Sequence, residues 1–320
     1  MNTQIKLAII AIAIVIPLAS LAITQTNSPS NNSTNENSKL QVVASATFLY
    51  EFSQNIGKEM IDVTLLVPMG ADPHDWEPTI RDTERLQKAD MIIVNGIGYE
   101  HWLNSLELSD IAGILVDTSN GISTLDSANH DEEKHDDHAK EDGHDDEDNH
   151  NHGVLDPHIW LNPVFAQLQV KNIANALSNS DPTNKNYYQS NAAIYNQKLN
   201  LLDTKIRTEL SGCKTDFITF HDAFSYFSEE YGLTQHTIIS STDSHGEVTL
   251  QTLENIISLA RELNIKVIFS EESTSTKTSQ VIADEIGGKV LVLSPLEIVS
   301  DETYVEKMTQ NLESLKDALC

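Results

Sequence analysis

The stretch from residue 183 to 211 most constrains the fold, because almost thirty residues pass without a proline or a glycine. Those two residues most often interrupt helices, so the stretch is predicted to form one long helix. Its apolar positions suit such a helix: Ile194, Leu199, Leu201, Leu202, Ile206 and Leu210. At a rise of 1.5 Å per residue the helix would span roughly 40 Å, about the size of a small domain. We therefore expect it to act as a rigid connection between two lobes.

Short apolar runs alternate with helical patterns on both sides of this helix. The runs before it are 40–44, 63–67, 91–94 and 114–116, and those after it are 217–220, 235–240, 266–269 and 289–293. Strands that alternate with helices in this way indicate parallel βαβ units. The chain is therefore predicted to be an α/β protein with two βαβ-type lobes. We place the N-terminal lobe at residues 40–180, the connecting helix at 181–212 and the C-terminal lobe at 213–320.

The N-terminus has the pattern of an export sequence. A short cationic segment precedes an apolar run of 17 residues from Leu7 to Ile23. Residues 1–23 are predicted to be a signal peptide or an N-terminal membrane anchor, and the sequence leaves both open. Either one would place the rest of the chain outside the cytoplasm. Residues 24–39 are rich in Ser, Thr and Asn, which is typical of a flexible linker.

A strongly acidic, histidine-rich segment interrupts the N-terminal lobe. Residues 130–152 contain eleven carboxylates and six of the twelve histidines of the chain. These histidines are His130, His135, His138, His144, His150 and His152. With almost no apolar side chain to bury, residues 126–153 are expected to be a disordered loop. A plain acidic linker is the alternative, but imidazoles favour an auxiliary metal-binding loop.

The net charge excludes one class of partner. The formal charge of the chain is −28. The segment 130–152 contributes −9 of this, from eleven carboxylates and two lysines, so the remainder is also acidic. An acidic surface repels phosphate backbones and attracts cations, and we expect no binding to nucleic acid.

Three histidines outside the loop are candidate metal ligands. His74 and His221 each follow a predicted strand, and His158 opens a predicted helical segment. Ligands of open α/β folds bind at the carboxyl ends of strands, so the three imidazoles could meet in one cleft between the lobes. Each alone would more often be an ordinary polar or core histidine. However, His74 and His158 share the context Asp-Pro-His, and His221 is followed by an aspartate.

Longer motifs around these histidines resemble a known family. The segments ADPHDWEP (71–78), DPHIWLNP (156–163) and FHDAFSYFSEEYGL (220–233) look like the metal-binding segments of the cluster A-I solute-binding proteins. These ZnuA/TroA-like proteins are the zinc and manganese receptors of ABC importers. NIKVIFSEE (264–272) and SDETYVEKMTQNLESL (300–315) are similar as well. The resemblance covers residues 40–320, and the histidine-rich loop is similar to that of the zinc-specific branch.

The resemblance implies two lobes joined by a rigid helix, with Zn²⁺ held between them by His74, His158 and His221. Relatives with a carboxylate ligand carry it near the last helix, which implies Glu302 as the fourth ligand here. Asp301 or water remain alternatives at that position, and both carboxylates could instead cap the helix. The manganese branch tends to have Glu at the position of His221, so histidine favours zinc, as nitrogen-rich sites do. Glu271 and Glu272 are candidates for supporting the ligands.

The resemblance also implies a function and a partner. We expect an extracytoplasmic, high-affinity zinc receptor that catalyses no reaction. The receptor is expected to be a monomer and to deliver Zn²⁺ to the membrane permease of an ABC transporter, which works with a cytoplasmic ATPase. The alternatives are a receptor for manganese or another divalent metal, a metal-dependent adhesin, and a zinc hydrolase. Zinc binding requires neutral imidazoles, so affinity is expected to fall as the pH drops through about 6.5.

Two cysteines complete the list of candidates. Cys213 and Cys320 could form a disulfide in an exported protein, and two free thiols are the alternative. Three further histidines, His101, His236 and His245, are expected to be structural or to lie at the surface.

Overall fold

Two wholly parallel four-stranded sheets form the frame of the computed structural model. The first sheet has the order β2-β1-β3-β4, with β1 at Leu40–Ala44, β2 at Ile61–Leu65, β3 at Met91–Val94 and β4 at Ile114–Asp117. The second has the equivalent order β6-β5-β7-β8, with β5 at Asp216–Thr219, β6 at Thr234–Thr237, β7 at Val267–Ser270 and β8 at Lys289–Val292. The central strands β3 (MIIV) and β7 (VIFS) are buried at every residue, as expected for parallel sheets covered on both faces.

The structure describes residues 39–68, 71, 73, 75–106, 111–125, 155–239, 248–272 and 276–320. Several predicted features lie outside these residues: the export segment 1–23, residues 24–38 of the linker, His74, His245 and the six histidines of 130–152. No helix within the described ranges combines the length and the apolar character that crossing a membrane requires.

Eight α-helices connect and cover the described strands. They are α1 (Thr47–Gly57), α2 (Ile80–Lys88), α3 (Pro163–Ser180), α4 (Lys185–Glu209), α5 (Ser225–Tyr231), α6 (Leu250–Glu262), α7 (Thr276–Ile286) and α8 (Tyr304–Leu319). Short 3₁₀ turns occur at Lys58–Met60, His101–Ser105, Ile159–Leu161 and Pro182–Asn184. Local sequence explains several starts: Thr79 and Thr303 form capping boxes, and Asn162 caps α3 ahead of Pro163.

The connecting helix α4 is a helix as predicted, and four of the six apolar positions named from the sequence are buried. The sequence suggested Ile194 and Leu201 as inward positions, yet these side chains are 52% and 69% exposed. Tyr188 and Tyr195 are buried instead, together with Leu199, Leu202 and Ile206. Their spacing of seven, four, three and four residues keeps them on one side of the helix. The rings of Tyr188 and Tyr195 bury more apolar area than the side chains of Ile194 and Leu201 would in their place.

One apolar cluster runs through both lobes. It extends from Val42 in the first sheet through Phe48 and Trp160 to Phe217 and Phe269 in the second sheet. The rings of Phe48 and Trp160 stack at a centroid distance of 4.4 Å. Residues Lys39–Cys320 accordingly form one compact unit. A shared core of this kind holds the edges of the two sheets in a fixed relation, which matters for a site that draws on both.

A disulfide joins the end of the connecting helix to the end of the last helix. Cys213 and Cys320 are bonded, with their Cα atoms 4.7 Å apart and a separation of 107 positions in sequence. A cross-link over about 100 residues reduces the entropy of the unfolded chain and can contribute up to about 5 kcal/mol to stability. It fastens α8 against α4, two helices that both contribute to the shared core.

Candidate metal centre

Two of the three predicted histidine ligands face each other in the interior. The side chains of His158 and His221 are both fully buried, and their Nε2 atoms lie 3.4 Å apart. A tetrahedral zinc ion with Zn–N bonds of 2.0–2.1 Å separates its ligand nitrogens by about 3.3 Å. The two imidazoles therefore stand at the separation that shared coordination of one zinc ion requires.

Glu297 completes a group of three ligand atoms. Its Oε1 lies 3.5 Å from Nε2 of His158, and the ligand atoms of Glu297, His158 and His221 all lie within 4.8 Å of one another. All three side chains are buried. Within the described part of the chain, this is the one group of three or more His, Cys, Asp or Glu side chains that could hold a metal ion.

Each histidine is oriented by its own carboxylate. Nδ1 of His158 lies 2.7 Å from Oδ1 of Asp156, and Nδ1 of His221 lies 2.6 Å from Oε1 of Glu271. The same two oxygens also accept the backbone N–H groups of these histidines, at 2.9 and 3.2 Å. In a neutral imidazole, a carboxylate on Nδ1 fixes the proton there, so that Nε2 is the lone-pair atom for a metal. Both imidazoles thus present Nε2 to the same point.

The second sheet supplies most of the site from its carboxyl edge. His221 comes two residues after β5, and Glu271 comes directly after β7. Because carboxyl ends of parallel strands meet at one edge, residues far apart in sequence become neighbours there. Glu272 has a separate role. It accepts hydrogen bonds from Ser294 Oγ at 2.6 Å and from Lys307 Nζ at 2.9 Å, which fixes the chain between β8 and Glu297.

The residue before Glu297 has an unusual backbone. Leu296 is buried and has a φ of 62°, a left-handed conformation that costs a non-glycine residue about 1–3 kcal/mol. Neighbouring groups hold it there: Thr47 Oγ1 donates to the carbonyl of Leu296 at 2.9 Å, and Trp160 Nε1 donates to the carbonyl of Pro295 at 2.8 Å. Both donors belong to the N-terminal lobe. The loop that carries Glu297 is thus attached to the lobe that carries His158.

A buried polar network supports the His158 segment from the first sheet. The carboxylate of Glu100 accepts hydrogen bonds from Ser45 Oγ at 2.6 Å, from the N–H of Asn95 at 2.7 Å and from the N–H of Gly96 at 3.0 Å. Burial raises the pKa of Glu100 to about 7, although these three donors oppose the shift. Asn95 in turn donates from Nδ2 to the carbonyl of Pro157 at 2.9 Å, next to His158. The end of β3 therefore helps to fix the ligand backbone.

The charges around His158 favour a cation. Burial acts to lower the pKa of His158, but Asp156 and Glu297 outweigh it and raise the pKa to about 10. A site that stabilises an imidazolium so strongly places a large negative potential at the Nε2 position. Three buried carboxylates, Asp156, Glu271 and Glu297, surround two imidazoles there. A divalent cation would compensate this charge better than a single proton does.

The structure separates the candidate residues into three groups. His158 and His221 come together. His74 and the loop histidines 130, 135, 138, 144, 150 and 152 fall outside the described residues. Asp301 and Glu302 are exposed just before α8 and do not join the ligand group, and Gln310 donates a hydrogen bond to Glu302. Of the remaining histidines, His101 is exposed, and His236 bonds Asp216 at 3.0 Å.

Glu297 is not among the ligands that the sequence predicted. The signal was available, since Glu297 follows the predicted strand 289–293 much as His221 follows the strand 217–220. The motif resemblance instead implies Glu302, with Asp301 as an alternative, near Tyr304. In the structure the hydroxyl of Tyr304 donates to the carbonyl of Trp160 at 2.6 Å. This tyrosine therefore holds the chain next to His158, and it does not position Asp301 or Glu302 as a ligand.

Residues 42–318 match the sequence profile of a family described as zinc-uptake complex component A, periplasmic. The high-affinity zinc uptake system protein ZnuA of Bacillus subtilis is 42% identical over 290 residues, which are 88% of each chain. The zinc-binding protein AdcA of Streptococcus pyogenes is 32% identical over 287 residues. This alignment covers 87% of the present chain but 56% of AdcA, so the chain spans little more than half of that relative.

Solved structures show the same fold. The metal-dependent lipoprotein YcdH of Bacillus subtilis matches with a TM-score of 0.72 at 38% identity, over 88% of this chain and 99% of that one. A laminin-binding protein of Streptococcus agalactiae, described as an adhesin with metal-transporting activity, matches with a TM-score of 0.74 at 26% identity. This match covers 88% of the present chain and 99% of the adhesin.

Proposed function

Because this chain belongs to the family of zinc-uptake complex component A, we propose that His158, His221 and Glu297 form the zinc-capture site of an extracytoplasmic receptor that serves an ABC importer. Zinc is the cargo, and it is released from the protein without chemical change. The observation that carries the proposal is the 3.4 Å separation of the two Nε2 atoms, which matches adjacent ligands of tetrahedral zinc.

We place His74 as the remaining ligand, on the strength of its Asp-Pro-His context. The proposed set is then three imidazoles and one carboxylate, with Glu297 in the position that the sequence suggested for Glu302. Four protein ligands are typical of zinc sites without chemistry, since catalytic zinc keeps a position open for water. This supports binding rather than hydrolysis. A set dominated by nitrogen also favours zinc over manganese, which prefers oxygen ligands.

The rest of the chain suits export and delivery. We propose that residues 1–23 direct the chain out of the cytoplasm as a signal peptide or an anchor, and that 24–39 link this segment to the receptor. The lobes 40–180 and 213–320 then carry the site, with 181–212 between them. The receptor works as a monomer and meets the membrane permease of the importer. Its formal charge of −28 disfavours nucleic acid and concentrates cations near its surface.

An adhesin function is the second candidate, and the similarity to the laminin-binding protein of Streptococcus agalactiae favours it. That similarity is 26% in sequence, compared with 42% for the zinc uptake protein of Bacillus subtilis. The buried ligand group is also unsuited to adhesion as such, because buried side chains do not contact another protein. Zinc capture is therefore the better supported function.

A competition titration with a zinc chelator tests the proposal. The chain from residue 40 to 320 and the same chain without 130–152 are compared. We expect one tightly bound zinc ion in both, because the ligands proposed here lie outside the deleted segment. Additional weaker zinc ions are expected only when the segment is present. Loss of the tight zinc with the deletion would overturn the proposed site and assign capture to the histidine-rich segment.

Zinc affinity should depend on pH over a wider range than the free imidazole pKa of about 6.5 predicts. The His158 pKa of about 10 means that zinc must displace a proton at neutral pH. Below that pKa each unit of rising pH should strengthen binding about tenfold, so affinity at pH 8 should exceed affinity at pH 6 about a hundredfold.

Calorimetry in buffers of different ionisation enthalpy measures this proton directly. About one proton should be released per zinc ion bound at pH 8, where an unperturbed imidazole would already be neutral. Affinity that stops rising above pH 7 would contradict a raised pKa at His158. The titration should use the chain without 130–152, because the loop histidines also exchange protons for metal.

A further inference from the structure

The hydroxyl of Tyr226 lies at a junction that the zinc site does not by itself explain. Tyr226 is buried in α5, in the C-terminal lobe, five residues beyond His221. Its hydroxyl donates to the carbonyl of Asp156 at 2.7 Å and accepts the N–H of Leu125 at 3.0 Å. Both partners belong to the N-terminal lobe. A single hydroxyl therefore bonds two backbone groups across the space between the lobes.

The two partners also bond each other. The N–H of Asp156 donates to the carbonyl of Leu125 at 3.1 Å. The peptide groups on both sides of Asp156 are thus held, one by Leu125 and one by Tyr226. With both of its backbone polar groups hydrogen-bonded, Asp156 has little freedom to rotate, so the position from which its side chain starts is fixed as well.

The side chain of Asp156 is the group that orients His158. Its Oδ1 meets Nδ1 of His158 at 2.7 Å, and the backbone N–H of His158 donates to the same oxygen at 2.9 Å. A rotation of Asp156 would therefore turn the imidazole and move its Nε2 away from Nε2 of His221. The chain of contacts runs from the Tyr226 hydroxyl through Asp156 to the metal-facing nitrogen.

We propose that the Tyr226 hydroxyl is a positioning group for zinc capture, which holds Asp156 and through it the imidazole of His158. The inference rests on the proposed zinc site. It gives the short stretch 221–226 two contributions to that site, since His221, four residues before α5, is a proposed ligand and Tyr226, in the first turn of α5, supports the opposite ligand. The positions of the His158 and His221 imidazoles are thereby connected through Tyr226 and Asp156.

The substitution Tyr226→Phe isolates the hydroxyl. The ring keeps its edge-to-face contact with Phe165, at a centroid distance of 5.6 Å, so the packing is preserved. Loss of the hydroxyl removes the partner of two backbone groups. Removing a group that supports a metal ligand typically lowers metal affinity 10- to 100-fold. We expect about a tenfold loss of zinc affinity, measured by chelator competition at pH 7.5.

Tyr231→Phe is the matched control. Tyr231 lies on the same helix and donates from its hydroxyl to Asp203 at 3.0 Å, away from the ligands. Its substitution should leave zinc affinity unchanged within about twofold, although it removes an equivalent hydrogen bond. Thermal unfolding of both zinc-free variants accompanies the titration. A loss of affinity in Tyr226→Phe that Tyr231→Phe does not share, at similar unfolding temperatures, supports positioning.

A double-mutant cycle distinguishes positioning from a general loosening of the fold. Asp156→Asn interrupts the proposed route, whereas Glu271→Gln weakens the support of the other histidine. Adding Tyr226→Phe should cost less than about twofold in the Asp156→Asn background and about tenfold in the Glu271→Gln background, because only residues on one route are coupled. Equal losses in both backgrounds would overturn the inference.

The outcomes for the unaltered chain separate this inference from the proposed function. Tight zinc binding by the wild type with no change in Tyr226→Phe would overturn the role of the hydroxyl and leave the zinc receptor intact. No tight zinc binding by the wild type would overturn both.

Discussion

Replacing His221 by alanine is expected to weaken zinc binding by about two to three orders of magnitude. Structural zinc sites with four ligands bind with roughly 10–16 kcal/mol, or about 2.5–4 kcal/mol for each ligand. A loss of that size corresponds to about a 10²- to 10³-fold weaker complex. The fully buried position of His221 adds to the effect, because no outside group can replace its nitrogen. Chelator competition at pH 7.5 measures the change.

His101→Ala provides the control for this experiment. His101 is exposed in a 3₁₀ turn of the N-terminal lobe and takes no part in the ligand group. Its substitution should leave the zinc affinity unchanged. If His221→Ala bound zinc as tightly as His101→Ala, the interior site would not be the site of capture. Circular dichroism of both zinc-free variants establishes that neither has lost the fold.

The substitution Glu297→Gln is expected to weaken zinc binding about a hundredfold. Glutamine preserves the volume of the side chain but removes the negative charge, and a neutral amide is a poorer ligand for zinc than a carboxylate. Its effect should fall somewhat below that of His221→Ala, because the amide oxygen can still approach the ion. The measurement is the same competition titration.

Glu302→Gln is the matched control, since it makes the same chemical change at the residue that the motif resemblance favoured. Glu302 is exposed and bonded to Gln310, so the substitution should alter zinc affinity by less than about twofold. The opposite result, a large loss at Glu302 and none at Glu297, would return the carboxylate ligand to the position before α8. The pair of variants therefore decides between the two assignments.

Much of the fold could be predicted because its signals are local. The run MIIV is apolar at every position and VIFS at all but its last residue, Ser270, which indicates strands covered on both faces. Thr79 marks the start of α2 through its capping box. The aliphatic residues of α4 predicted its inward face only in part, since Leu199, Leu202 and Ile206 are buried but Ile194 and Leu201 are exposed. Tertiary packing decided the rest of that face, because the rings of Tyr188 and Tyr195 are buried in the apolar cluster that the two lobes share.

The candidate site divides in the same way. His158 and His221 stand in distinctive short motifs, so the sequence singled them out. Glu297 has no such motif, and its place depends on the turn at Leu296 and on hydrogen bonds from Thr47 and Trp160, which are distant in sequence. Contacts of that kind arise only once both lobes are packed together. The pairing of Glu271 with His221 is similarly non-local, since the two residues are fifty positions apart in sequence.

The hydrogen bond between Leu125 and Asp156 has a consequence for how this chain can change over evolutionary time. The two residues stand on either side of the stretch 126–155, yet their backbones meet at 3.1 Å. A stretch whose two ends already touch can be lengthened, shortened or exchanged at a small entropic cost, without pulling on the residues that receive it. If residues 130–152 bind metal as proposed, that capacity can be gained or lost by exchanging this stretch, while selection on the buried group of His158, His221 and Glu297 proceeds independently.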